Sequence, residues 1–500
     1  MSGRLVLGRW IRDRARTTPQ RVAIEFGGRN VTYRQLDDHS EALAAGLLAS
    51  GVEHGGRVAT LTGNSPEHVE ALFACAKAGF VLVPLSWRLS PAELAYQLDD
   101  CEPAVLLVED EYAALADAAL ADAAVRPERR RLGEVGEAPA AVDADVADDD
   151  ALFLIYTSGT TGKPKGALLT HANCFWTNLG FDLATGISGE DVALQVLPQF
   201  HCGGWNVQPL LTWWKGGTVV LERSFDPARC LALIEEKRVT TIMGVPAIYL
   251  FMSQEAAFDR ADLSSLRRAV VGGAPMPEAL LETWQARGVD IVQGYGLTEA
   301  APNVLCLPAE DAVRKQGFAG KPYPNVDVGL RDPESGRFLE GPAEGELVVR
   351  GPNVFAGYWR NPEASAAALA DGWLLTGDVA QRDEEGYYRI AARLKDMYIS
   401  GGENVYPAEV ESVLHEHPAV ADAAVVAVPD ERWGEVGIAA VVLAEGAAAD
   451  EDELLEHCAA RLARFKVPRG VRFVDELPRS GMGKVLKDEL RGVIVKEASA

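Results

Sequence analysis

The chain has 500 residues, of which 48% are hydrophobic and 24% are charged. This length predicts about three folding units, and the composition excludes a disordered chain, a collagen-like fibre and a disulfide-rich small domain. The 48 lysines and arginines stand against 73 aspartates and glutamates, which gives a formal net charge of −25. We therefore expect no nucleic-acid partner and no anionic lipid surface as partner.

No apolar run reaches the roughly 18 residues that a membrane-spanning helix needs, and residues 1–10 are not expected to form a signal peptide. The seven cysteines show no C-x-x-C pair and no other metal-ligand spacing. The sequence therefore predicts free thiols, no integral membrane segment and a cytoplasmic enzyme.

Short apolar runs alternate with helical periods in the first part of the chain. The period of residues 33–48 is that of an amphipathic helix, with Thr32 as its N-cap. The strand candidates are residues 22–26, 57–61, 80–85 and 104–108. This alternation predicts a layered α/β architecture with a largely parallel sheet.

The middle and last parts of the chain differ from the first part in composition and hydrophobic pattern. Residues 126–150 are rich in charge and alanine, which favours a surface connection, and the α/β pattern resumes over 152–305. Glycine and proline punctuate residues 315–393, which is typical of a β-rich subdomain. A small α+β unit is predicted after that, from helical periods at 407–415 and 451–462 and apolar runs at 423–428 and 438–443.

A loop of hydroxyls, glycines and two lysines follows the apolar strand that starts at Leu152. It reads Thr157-Ser-Gly-Thr-Thr-Gly-Lys-Pro-Lys-Gly166. Glycines allow backbone N–H groups to approach an anion, and lysines supply positive charge, so the loop predicts phosphate binding. The spacing is not that of a Walker P-loop. The alternative from the residues alone is a solvated glycine turn.

This loop resembles the signature loop of the adenylate-forming superfamily, which includes the acyl-CoA synthetases. Four further motifs of that superfamily follow in its order: Gln293-Gly-Tyr-Gly-Leu-Thr-Glu299, Leu375-Thr-Gly-Asp378, Arg393-Leu-Lys-Asp396 with Ser400-Gly-Gly-Glu403, and Pro478-Arg-Ser-Gly-Met-Gly-Lys484. The resemblance covers nearly the whole chain. It implies a large N-terminal domain, residues 1–394, that binds ATP and the acid, and a small mobile C-terminal domain, residues 395–500.

Members of this superfamily join a carboxylate to the α-phosphate of ATP, release pyrophosphate, and transfer the acyl group to the thiol of CoA with release of AMP. The resemblance therefore implies ATP, Mg²⁺ and coenzyme A. It also implies the following nucleotide-binding residues: Thr157, Ser158, Gly159, Thr160, Thr161, Gly162, Lys163, Gly273, Ala274, Gly294, Tyr295, Thr298, Asp378 and Arg393. In this set, Tyr295 stacks on adenine, Thr298 contacts the α-phosphate, and Asp378 accepts hydrogen bonds from the ribose.

The resemblance assigns catalytic roles to Thr298, Glu299 and Lys484. Glu299 matches the Mg²⁺ ligand, and an oxygen donor beside phosphates is what Mg²⁺ prefers. Lys484 matches the lysine that bridges the carboxylate and the α-phosphate. Lys395 matches the hinge about which the small domain rotates between the half-reactions. The expected contacts to the pantetheine of CoA are Ser400, Gly401 and Gly402.

The acyl pocket implied by the resemblance is mostly apolar. Its expected residues are His201, Trp205, Asn206, Val245, Gly272, Gly296, Ala300 and Asn303. We expect His201 to form a pocket wall, without acting as a base. Cys202 is not expected to be a nucleophile, because no His/Asp partner set is evident beside it in the sequence.

The same segments narrow the choice of acid. The stretch 201–206 contains no acidic residue to pair with an amino group, and the pocket segments contain no lysine or arginine to pair with a second carboxylate. We therefore expect a medium-chain or long-chain fatty acid, with a place in fatty acid metabolism, or a bulky aryl or polycyclic acid.

Several alternatives stay open from the sequence. They are an acyl-AMP ligase that loads a carrier protein, an o-succinylbenzoate-type CoA ligase, a luciferase-like oxygenase, and a catalytically silent protein that binds nucleotide or acyl ligand. The oligomeric state is also open, a homodimer included.

Overall fold

The computed structural model describes residues 5–134, 142, 144–157, 164–274, 276–394, 396–400, 403–430, 433–462, 464–479 and 485–498. The chain divides into two compact units. The large unit comprises Met1–Val328 and Val348–Leu375, and the small unit comprises Gly329–Leu347 and Thr376–Ala500. Both contain helices and sheets, so the predicted mixed α/β class is confirmed.

The described helices are α1 (Gly8–Thr17), α2 (Tyr33–Ala49), α3 (Pro66–Ala78), α4 (Pro91–Cys101), α5 (Ala113–Asp122), α6 (His171–Thr185), α7 (Gly203–Asn206), α8 (Pro209–Lys215), α9 (Pro227–Glu236), α10 (Pro246–Gln254), α11 (Glu278–Gln285), α12 (Pro362–Ala368), α13 (Pro407–His415), α14 (Glu451–Ala459) and α15 (Lys487–Ala498). None of them combines the length and apolarity that crossing a membrane requires.

The described strands are β1 (Val22–Phe26), β2 (Arg29–Thr32), β3 (Arg57–Leu61), β4 (Val81–Leu85), β5 (Val105–Val108), β6 (Glu128–Arg131), β7 (Ala151–Thr157), β8 (Lys165–Thr170), β9 (Val192–Gln195), β10 (Thr218–Leu221), β11 (Thr241–Gly244), β12 (Arg268–Val271), β13 (Ile291–Gly296), β14 (Asn303–Cys306), β15 (Lys321–Pro322), β16 (Asp327–Arg331), β17 (Phe338–Leu339), β18 (Ala343–Arg350), β19 (Gly357–Tyr358), β20 (Leu369–Ala370), β21 (Trp373–Arg382), β22 (Tyr388–Arg393), β23 (Tyr398–Ser400), β24 (Glu403–Val405), β25 (Val420–Asp430), β26 (Gly434–Leu443) and β27 (Gly470–Phe473).

A seven-stranded sheet of order β19-β8-β7-β4-β3-β5-β6 lies in the large unit. Strands β7, β4, β3, β5 and β6 run parallel to one another, while β8 is antiparallel to β7 and β19. The central strands are continuous apolar runs, as expected where helices cover both faces of a parallel sheet. Their core cluster includes Val83, Leu94, Leu106 and Leu154, all buried.

The second sheet of the large unit has nine strands, in the order β15-β14-β13-β12-β11-β9-β10-β1-β2. The six strands from β13 to β1 are parallel, so their carboxyl ends lie at one edge. Three neighbours, β11, β12 and β13, reach or are followed by glycine at this edge: Gly244, Gly272 and Gly294. Ligands of open α/β sheets bind at the carboxyl ends of strands, so this edge is a candidate ligand-binding site.

Local sequence signals explain much of this order. Helix α2 begins after Thr32, whose side chain accepts from Gln35 N while the Gln35 side chain accepts from Thr32 N, a complete capping box. The predicted helix at 33–48 is thus confirmed. Residues 128–131 differ from the expected surface connection, because they form the edge strand β6 beside β5.

In the small unit, β16 pairs with β17 and β21 with β22, all antiparallel. A five-stranded sheet of order β24-β23-β26-β25, with β27 beside β26, packs with α13, α14 and α15. The predicted α+β unit after residue 396 is confirmed. The helix expected at 451–462 is present and ends at Ala459. The seven cysteines are free thiols, six of them buried.

Candidate active site

A buried carboxylate is the centre of the candidate site in the large unit. Glu299 follows β13 in a 3₁₀ turn, Thr298–Ala300, and is only 9% exposed. Its Oε1 accepts hydrogen bonds from the Tyr358 hydroxyl at 2.8 Å and from Thr157 Oγ1 at 3.4 Å. No described residue donates a hydrogen bond to its Oε2. One oxygen of this carboxylate is therefore held by two hydroxyls, and the other is left for a ligand.

Strand pairing places the two hydroxyls. Thr157 ends β7 opposite Lys165 of β8, and Tyr358 of β19 lies opposite Ala167 of the same strand. The backbone of Glu299 is tied to this segment as well, because its carbonyl accepts from Phe355 N at 2.9 Å. Residues of both large sheets thus converge on one carboxylate.

Tyr358 was not among the residues expected from the sequence. It belongs to a strand of two residues, Gly357–Tyr358, which is too short to produce a detectable alternation. The available signal was a tyrosine in Gly357-Tyr-Trp359, a glycine–aromatic run between the motifs.

Four residues expected to bind the nucleotide lie at the carboxyl edge of the nine-stranded sheet: Gly273, Ala274, Gly294 and Tyr295. Gly294 and Tyr295 are paired with β14, and the register shifts between Tyr295 and Gly296. A Cβ on Gly296 would lie 1.7 Å from the carbonyl oxygen of Pro302, so this position has no room for a side chain. Gly273 has φ +81°, a backbone conformation that favours glycine, and both Gly273 and Ala274 are exposed. Their nucleotide contacts stay predictions.

The residues expected to line the acyl pocket fall into two groups in the structure. Trp205 and Asn206 are fully buried. At least nine-tenths of the surface of Ala300 and of Asn303 is buried as well. Val245 is 37% exposed and lies beside Gly273, where a Cβ would be 3.5 Å from its Cγ1. The half-buried His201 has its ring against Phe200, with centroids 4.5 Å apart.

A buried polar network lies around Asn206. Its side-chain oxygen accepts from Asn178 Nδ2 at 3.1 Å, and its main-chain carbonyl accepts from Asn303 Nδ2 at 3.4 Å. Its amide nitrogen lies 3.5 Å from Cys174 Sγ and 3.6 Å from Cys202 Sγ. Burial raises the pKa of the Cys202 thiol well above its ordinary value, so the thiol is not activated as a nucleophile.

Trp205 is held by a second set of contacts. Its indole nitrogen donates to the Gln199 carbonyl at 2.6 Å, and its ring packs edge-on to His68, with centroids 5.0 Å apart. His68 Nε2 lies 2.9 Å from Thr60 Oγ1. Burial lowers the pKa of His68 to about 3, so this histidine is neutral at physiological pH.

Two expected nucleotide contacts belong to the small unit. Asp378 of β21 and Arg393 of β22 are direct partners across the antiparallel pair. Asp378 is 2% exposed, and its N–H donates to Thr376 Oγ1 at 3.1 Å. Burial raises the pKa of the neighbouring Glu346, and the charge of Asp378 adds to that shift. Ser400 is buried in β23.

The remaining expected site residues lie outside the described residues. They are Ser158, Gly159, Thr160, Thr161, Gly162, Lys163, Lys395, Gly401, Gly402 and Lys484. Their roles stay predictions.

Comparison with known proteins gives the family. The sequence model of the AMP-binding enzyme family matches residues 11–359, and that of the AMP-binding enzyme C-terminal domain matches residues 409–484. The chain belongs to the AMP-binding enzyme family. It is an acyl-CoA synthetase of the adenylate-forming superfamily, an acid–thiol ligase of the AMP-forming type.

Relatives of this ligase are similar over nearly their whole length. A feruloyl-CoA synthase from Amycolatopsis sp is 46% identical over 97% of this chain and 98% of its own. An indoleacetate–CoA ligase from Aromatoleum aromaticum is 42% identical over 98% of both chains. An o-succinylbenzoate coenzyme A synthetase from Bacillus subtilis, solved with ATP and magnesium ion, has a TM-score of 0.89 and 34% identity, covering 96% of this chain and 99% of that one.

Proposed function

We propose that this ligase activates a bulky aromatic carboxylic acid. The acid reacts with ATP to give an acyl-adenylate and pyrophosphate, and the thiol of CoA then displaces AMP to give the acyl-CoA. The observation that carries the choice of acid is the glycine-lined edge of the nine-stranded sheet. The relatives that act on ferulate and indoleacetate support the same choice.

The glycine-lined edge favours a flat substrate. A Cβ on Gly272 would lie 3.1 Å from Met243 Cε and 3.4 Å from the carbonyl oxygen of Gly294. Gly272 thus has no side chain of its own between Met243 and the main chain of β13, and we propose that the flat ring of the acid packs at this end of β12.

The charge pattern agrees with a monocarboxylic acid. The pocket segments that carry Trp205, Val245, Gly272 and Ala300 contain no lysine or arginine. A second carboxylate buried there would have no cation to pair with, which is costly.

The residues of the candidate site fit a magnesium–nucleotide complex. Glu299 offers one carboxylate oxygen with no described donor, and Mg²⁺ prefers oxygen ligands beside phosphates. When bound, Mg²⁺ would neutralise negative charge on the phosphates. We propose that the Thr157 hydroxyl and the loop after it, Lys163 included, orient the β- and γ-phosphates, since two anions must be brought together for the first step.

The other assignments are part of the same proposal. Tyr295 stacks on adenine, Asp378 and Arg393 contact the ribose and the nucleotide, and Lys484 stabilises charge as the carboxylate attacks the α-phosphate. The domain that starts at Lys395 then rotates so that Ser400, Gly401 and Gly402 approach pantetheine. The support for these roles is the position of each residue in its motif.

The test is pyrophosphate release with ATP and Mg²⁺ over a panel of carboxylic acids, each with and without CoA. Cinnamates, aryl acetates, o-succinylbenzoate and C8–C18 fatty acids form the panel. We expect the highest kcat/KM with a cinnamate or an aryl acetate, and acyl-CoA with AMP as products. Preference for a fatty acid would overturn the aromatic assignment. Release without CoA-dependent turnover would point to a carrier-protein acceptor, and no release to a silent protein.

A further inference from the structure

The carboxylate of Glu299 is bound asymmetrically. Both hydroxyl donors, from Tyr358 and Thr157, reach Oε1, and the Tyr358 bond is the shorter by 0.6 Å, at 2.8 Å against 3.4 Å. A carboxylate held in this way presents Oε2 in a fixed direction. Mg²⁺ demands nearly ideal octahedral geometry at short distances, so the orientation of a ligand oxygen strongly affects affinity.

We propose that Tyr358 is a positioning residue that fixes Glu299 for the magnesium complex of ATP. The inference rests on the proposed function, specifically on Glu299 as the Mg²⁺ ligand. The Tyr358 hydroxyl binds Oε1 of Glu299, so Oε2 would be the oxygen that this carboxylate offers to Mg²⁺.

The surroundings of Tyr358 make it rigid enough for this role. Its backbone N–H donates a hydrogen bond to Ser365 Oγ at 2.8 Å within the β19–α12 segment. Its ring packs edge-on to Phe355 with centroids 4.9 Å apart, and the ammonium of Lys165 lies 5.3 Å from its centroid. The ring is thus fixed from the backbone, from one edge and from one face.

Phenylalanine at this position would keep the ring contacts and remove only the hydroxyl. Residues that orient a metal ligand typically account for about 10- to 100-fold in metal affinity. We therefore expect Tyr358→Phe to weaken the binding of Mg²⁺–ATP by about tenfold and to leave the binding of metal-free ATP unchanged.

The experiment measures ATP affinity by isothermal titration calorimetry in the absence of any acid, once with Mg²⁺ and once with EDTA. The ratio of the dissociation constant in EDTA to the dissociation constant in Mg²⁺ measures how much the metal strengthens ATP binding. Each variant serves as its own reference, so a general loss of stability does not change this ratio. Tyr156→Phe is the matched control. The Tyr156 hydroxyl also donates to a carboxylate, Asp100 Oδ2 at 2.6 Å, and Tyr156 precedes Thr157 on the same strand.

The variant Glu299→Gln tests the metal role of Glu299 separately from the positioning role of Tyr358. A fall in the ratio for Tyr358→Phe and Glu299→Gln, with Tyr156→Phe like wild type, supports the inference. A fall for Glu299→Gln alone overturns the positioning role of Tyr358 and leaves the metal role intact. An unchanged ratio for Glu299→Gln overturns both. An equal fall for Tyr156→Phe would show that any lost hydroxyl has this effect, and would also overturn the inference.

Discussion

Gly296 lies directly against the main chain of Pro302: a Cβ built on the glycine would be 1.7 Å from the Pro302 carbonyl oxygen. The contact is with backbone, so a neighbouring side chain cannot move to relieve it. It also follows the register shift between β13 and β14 that brings the turn of Glu299 to the sheet edge. This glycine is therefore required by packing, whatever it contacts in a substrate.

We expect Gly296→Ala to destabilise the large unit by about 1–3 kcal/mol, the usual cost of forcing extra atoms into a packed site. Activity should fall with every acid in parallel, because the displaced turn carries Glu299. The measurement is the apparent melting temperature together with kcat/KM for three acids. A variant of wild-type stability with altered acid preference would contradict this.

Gly272→Ala provides the contrasting case. Its Cβ would meet Met243 Cε at 3.1 Å, the flexible end of a side chain that can move. We expect the variant to fold with nearly wild-type stability and to lose about tenfold in kcat/KM for aromatic acids relative to straight-chain acids, in line with about 1–3 kcal/mol per methylene in a pocket. Equal losses for both classes of acid would place Gly272 outside the acyl pocket.

Two buried histidines give the stability of the protein a pH dependence. Burial lowers the pKa of His68 to about 3 and that of His171 to about 4, against an ordinary value of 6.5. Below pH 6.5 the unfolded chain binds protons that the folded chain does not, so the free energy of unfolding decreases as the pH falls. Each histidine contributes about 1.4 kcal/mol per pH unit, down to its folded pKa.

The test is the apparent melting temperature of the wild type and of His68→Gln between pH 8 and pH 4.5. The variant should lose stability less steeply below pH 6.5, and the two curves should run parallel above pH 7. Parallel curves over the whole range would show that His68 is not neutral in the folded protein.

Cys202 lies beside Asn206, and its burial indicates a packing role and not a role as a nucleophile. Its pKa is raised, and its sulfur lies 3.6 Å from the Asn206 amide nitrogen. We expect Cys202→Ala to retain kcat within about threefold, since no acyl-enzyme is needed. Any decrease in kcat/KM should come from a higher KM. A loss of kcat by more than a hundredfold, or an acyl group on Cys202 detected by mass spectrometry, would contradict this.

The sequence allowed some of these features to be predicted and hid others, for physical reasons. The helix after Thr32 and the parallel strands were predictable because capping and hydrophobic period are local. Strand β6, Glu128-Arg-Arg-Arg131, was missed because charged residues have low β propensity, although they suit an exposed sheet edge. The Tyr358–Glu299 hydrogen bond joins residues 59 positions apart. The hydrophobic periodicity of a short segment cannot predict a contact between residues so far apart in the sequence.

Lys484 offers the sharpest test of the two-step reaction, because its predicted role belongs to one half-reaction only. Lys484→Ala should abolish acyl-adenylate formation, since its positive charge offsets the repulsion between carboxylate and α-phosphate. The same variant should still convert supplied acyl-adenylate and CoA to acyl-CoA at nearly the wild-type rate. Lys395→Pro, at the predicted hinge, is the matched counterpart and should slow the CoA step while adenylate accumulates. Equal losses in both half-reactions for Lys484→Ala would refute its role, and a loss of adenylation in Lys395→Pro would refute the hinge.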